Sequence, residues 1–91
     1  MRHLILLALL LPAPAHASTD EAWEEMRAEV AAACRALLAE GSVATVEVNP
    51  FGSERFGVAL VTLQAGDRVE RMVCIRDKRS GATELTTPFT D

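Results

Sequence analysis

Two thiols and two imidazoles are the most reactive side chains in this 91-residue sequence, and their positions decide which chemistry is open to it. Cys34 and Cys74 lie far apart in the chain, without the C-x-x-C spacing of a redox dithiol, so what they offer is a structural disulfide. A loop of about 40 residues closed in this way stabilises a fold by about 4 kcal/mol in the chain-entropy model. His3 and His16 both fall within the first seventeen residues. If that stretch is removed, no general base of near-neutral pKa remains, and Ser–His or Cys–His hydrolysis is closed. Glu47 and Glu54 come nearest to a carboxylate pair, and they read as two solvated charges flanking a turn. Two distant cysteines among scattered acids do not make a zinc ligand set. The expectation is a non-enzymatic protein with no metal and no cofactor.

The first seventeen residues have the order of a secretory signal peptide. Arg2 and His3 give a short positive start, Leu4 to Leu11 an unbroken apolar run, and Ala15-His16-Ala17 a small-x-small ending. Eight apolar residues fall well short of the roughly 20 needed to span a bilayer as a helix, and Pro12 and Pro14 interrupt the segment. Cleavage after Ala17 and a periplasmic or secreted destination are therefore expected, with no stable membrane anchor. Without Arg2, eight basic residues stand against thirteen acidic, a net charge of −5. An exported chain of this size gains from a covalent staple, because its core alone supplies only a few kcal/mol, and the compartment lets a Cys34–Cys74 bond persist.

The elements that would place these cysteines are readable from periodicity. Residues 18–40 show an amphipathic helical pattern, with a Ser18/Glu21 capping box, acids in the first turn and Gly41 as a stop. Trp23, Met26, Val30, Ala33, Cys34, Leu37 and Leu38 make its apolar stripe. From Ser42 the period becomes two: Ala44, Val46 and Val48 alternate with polar residues up to Asn49-Pro50. Residues 55–64 are apolar on both parities, Ala65-Gly66-Asp67 makes a hairpin turn, and residues 69–77 place Met72 and Cys74 on one face. A turn at residues 77–81 leads to a short strand at 83–86, and residues 88–91 read as a loose tail. The predicted architecture is a single α+β domain over residues 18–91. In it one N-terminal helix packs on a three- to four-stranded antiparallel meander, pinned by one disulfide.

Phe56-Gly57-Val58, followed by Asp77-Lys78-Arg79-Ser80-Gly81 and Leu85, resembles the PepSY domain, whose pattern includes Tyr-x-Val and a later D-x-x-T/S-G turn. The likeness covers roughly residues 20–86, with Phe in place of Tyr and a cysteine pair that the family does not require. It implies an exported or envelope module that binds or restrains peptidases, and it carries over no catalytic residue.

Two surfaces remain as candidates for binding. Arg68, Arg71, Arg76, Lys78 and Arg79 cluster near the third strand and suggest a basic edge, suited to an acidic partner or anionic headgroups. One helix covers only one face of a meander, so the other face is left as an apolar patch, either Phe56, Val58 and Leu60 or the Val61 and Leu63 set with Val73 and Ile75. The candidate face is taken as Phe56, Val58, Leu60, Val73 and Ile75. A net acidic, aromatic-poor, exported domain is a poor match for nucleic acid. The expected function is a small envelope protein that binds another exported protein, including a peptidase, or itself as a homodimer. The alternative is a structural or stress-related periplasmic protein held to the envelope by charge.

Overall fold

Thr19, the first of the described residues, caps a helix. Its side-chain oxygen accepts the Ala22 N–H at 3.1 Å, and Asp20 and Glu21 place negative charge at the positive end of the helix dipole. The computed structural model describes residues 19–90. The signal peptide expected at residues 1–17, and Ser18 as its cap, lie outside the described residues. Helix α1 spans Asp20–Arg35. It is shorter than the 18–40 pattern suggests, because after Cys34 the hydrogen bonds tighten: Leu37 N–H donates to the Cys34 carbonyl and Leu38 N–H to that of Arg35. This tightened turn swings Leu38 onto the core and leaves Leu37 45% exposed, so Leu37 is not part of the buried stripe. Gly41, at φ +80°, completes the reversal toward the sheet.

Four strands follow: β1 Ala44–Val48, β2 Phe56–Ala65, β3 Arg68–Asp77 and β4 Thr83–Leu85. They form one antiparallel sheet in the order β1-β2-β3-β4, so the α+β architecture of one helix on a meander is as expected. A two-residue turn at Gly66-Asp67 opposes Ala65 to Arg68, and this fixes every later pair, including Ala59 with Cys74 and Leu60 with Val73. Beyond β4 the chain continues beside β3 as far as Phe89, within the segment 88–91 expected to be a loose tail. Thr86 N–H donates to the Val73 carbonyl and Phe89 N–H to that of Arg71, both at 2.9 Å.

Val30 and Cys34 from the helix meet Ala59, Val61, Met72 and Cys74 from the sheet, and these six residues form the buried core. Met26, Leu38, Val46, Val48, Leu63 and Leu85 close around it. Cys34 and Cys74 are joined by a disulfide with a Cα–Cα distance of 6.0 Å, fully excluded from solvent. The bond links the last turn of α1 to the middle of β3. Gly57 allows the helix its close approach: a Cβ there would collide with the Val30 side chain and sit 3.5 Å from the Met26 sulfur.

Candidate binding surface

The register sorts the side chains of the sheet into two faces. Ala59, Val61, Met72 and Cys74 lie under α1. The opposite parity puts Phe56, Val58, Leu60, Val73 and Ile75 together on the face away from the helix, where Val58 pairs with Ile75 and Leu60 with Val73. The alternative grouping of Val61 and Leu63 with Val73 and Ile75 does not occur, because Val61 opposes Met72 and both face the helix. Phe56, Val58, Val73 and Ile75 are half-buried and Leu60 is 40% exposed.

Polar residues frame this apolar centre. Glu47 of β1 lies beside Leu60, Glu84 of β4 beside Ile75, and Thr62 faces Arg71. A shallow hollow of about 210 Å³ opens among Glu47, Asn49, Pro50, Val58, Leu60 and Val73. It is open to solvent and apolar at its base, with one carboxylate and one amide at its rim. Val43 and Val69, 70% and 58% exposed, extend the same face toward the hairpin end. Sequence reasoning did not include them. The parity that links Val43 to Thr45 and Glu47, and Val69 to Arg71 and Val73, was the available signal.

The five basic residues do not form one edge. Arg68 pairs with Glu70 at 3.5 Å at the start of β3, and Arg71 lies on the open face. Arg76 is turned to the other face, where its guanidinium donates to the Gly81 carbonyl at 2.8 Å. Lys78 reaches back across the fold and donates to the Phe51 and Ser53 carbonyls at 2.9 and 2.8 Å, with its ammonium 5.2 Å from the Trp23 ring. Arg79 is exposed at the turn after β3. Strand alternation separates Arg71 from Arg76, and intramolecular carbonyls occupy two of the five cations.

The two segments that carry the PepSY resemblance meet in space, since Phe56 opposes Asp77. Asp77 accepts the Arg79 and Ser80 N–H groups at 2.8 and 3.1 Å and the Arg55 Nε at 3.3 Å. The Ser80 and Arg79 N–H groups, with a smaller contribution from the Arg55 guanidinium, hold its carboxyl below the ordinary value. On the helix side of this end, Trp23 meets the Phe51 ring edge-on at 4.9 Å and Arg27 donates to the Pro50 carbonyl. These contacts fasten the β1–β2 loop to α1. Among the described residues, no three His, Cys, Asp or Glu side chains converge to hold a metal ion, and no helix is long and apolar enough to cross a membrane.

Fold and surface together define a class: a disulfide-stapled, two-layer α+β module whose helix lies on one sheet face, the other carrying no element among the described residues. Comparison with protein-family models, curated proteins and solved structures finds no match to this chain.

Proposed function

We propose that the chain is a small, non-enzymatic module of the cell envelope, exported by its N-terminal signal and acting by binding another exported protein on the open sheet face. One observation carries the reading: Phe56, Val58, Leu60, Val73 and Ile75 gather on a single face that no other element covers among the described residues. A contiguous apolar patch rimmed by polar residues is the surface signature of an interaction site. The Phe56-Gly57-Val58 and Asp77-to-Gly81 segments favour a peptidase as the partner class, through their likeness to PepSY. Charge-mediated attachment to the envelope has weaker support, because the basic residues are dispersed and two are engaged internally.

The face reading is tested with Leu60→Asp, Val73→Asp and Ile75→Asp. Each places a carboxylate on the open face without touching the helix-facing core, so the circular dichroism spectrum and the disulfide should be retained. Co-purification of an exported partner, identified by mass and then reconstituted from pure components, should weaken by at least about tenfold. Full affinity of all three variants for the reconstituted partner would refute the reading.

A further inference from the structure

The outer edge of β1 is a second unpartnered surface. Gln64 N–H donates to the Val43 carbonyl at 2.9 Å and Asn49 N–H to the Val58 carbonyl at 2.8 Å, so the odd-numbered residues of this stretch turn their backbone groups toward β2. The N–H and C=O groups of Ala44, Val46 and Val48 therefore point outward, and β1 pairs with no strand other than β2. Among the described residues none of these six groups takes a hydrogen bond. Natural edges are blunted by brevity, proline, bulges or charged side chains, lysine above all, and Glu47 is the one charge within β1. The opposite edge follows that rule, with a three-residue β4 and Pro88 just beyond it. Within Ala44–Val48 there is no proline, lysine or bulge.

From this edge we infer that β1 pairs antiparallel with β1 of a second copy, centred on Val46, to make a continuous eight-stranded sheet across a two-fold axis. The register follows from the sequence ATVEV. Pairing Val46 with Val46 sets Ala44 against Val48 of the other copy and satisfies all the outward groups of both strands. Thr45 then faces Glu47 of the other copy twice, in the closer non-hydrogen-bonded positions, so no carboxylate meets a carboxylate. Ala44, Val46 and Val48 continue an apolar surface on the helix side of both sheets. A heterologous extended peptide uses the same groups without this self-complementarity, and the test separates the two. The inference concerns the edge and does not depend on what the open face binds.

The experiment is sedimentation equilibrium on the oxidised protein recovered after export. The wild type should show twice the single-chain mass, in a concentration-dependent equilibrium. Val46→Pro removes an outward N–H and no bond of the β1–β2 ladder, so it should leave a folded monomer. Thr45→Glu opposes two pairs of carboxylates across the axis and should weaken association about tenfold. Adding Glu47→Lys to Thr45→Glu should restore it, because each pair then becomes Glu against Lys. Rescue by the double variant supports the two-fold register even if the proline variant misfolds. A wild type of single-chain mass up to about 1 mM would overturn the inference. So would a dimer unaffected by Thr45→Glu, or one that Glu47→Lys fails to rescue.

Discussion

Asp77 closes the turn after β3 with one carboxylate, and its ionised form is the one the turn stabilises. Two backbone N–H groups and the Arg55 side chain donate to it, so its folded pKa lies below the ordinary value, which the unfolded chain keeps. The resulting stability is fully present above the ordinary carboxylate range and is lost as pH falls through the depressed value. Asp77→Ala should therefore be less stable than wild type at pH 7, with a gap that narrows steadily below about pH 4. Urea unfolding midpoints from neutral to acid pH measure this, and a gap that stays constant would contradict it. Gly57 tests the helix–sheet contact in the same way. A methyl group there enters the space of Val30, so Gly57→Ala should cost about 1–3 kcal/mol in thermal unfolding. Val30→Ala in the same chain should recover part of that loss, since the two sites share one contact.

The disulfide is the main tie between elements, joining α1 to β3 across a sequence separation of 40. Its removal by Cys34→Ala with Cys74→Ala should destabilise the domain by about 4 kcal/mol, read as a fall in Tm. An unchanged Tm would mean that the six-residue core suffices alone. The pairing was legible in the sequence because an expected export signal would imply an oxidising compartment and because helical and strand parity aim both cysteines into one layer. The strands were legible too, from a period of two that is bounded by Asn49-Pro50 and Gly66-Asp67. The end of the helix was not, because Leu37 and Leu38 sustain the apolar spacing after the backbone has begun to turn. The make-up of the open face stayed ambiguous because β2 is apolar on both parities. Only the Ala65–Arg68 pairing at the hairpin settles that Val73 and Ile75 accompany Leu60 and Val58. The supposed basic edge ignored alternation, and the reach of Lys78 to Phe51 and Ser53 is a long-range contact that no local pattern announces.

At the scale of the molecule, the helix buries one face of the sheet, and among the described residues no second element lies on the other. The layered core explains why α1 carries Val30 and Cys34 and why β2 needs Gly57 beneath Val30. It does not account for Phe56, Val58, Leu60, Val73 and Ile75, which the proposed binding role would explain. The most direct measurement is photo-crosslinking in living cells, with a photoreactive residue placed at position 60 or 73 of the open face, or at exposed position 29 on the helix. The account predicts adducts from positions 60 and 73 to one and the same exported protein, carried by a chain that begins at Ser18, and none from position 29. Adducts from position 29 alone, or no adduct from either face position while the protein is exported and folded, would contradict it.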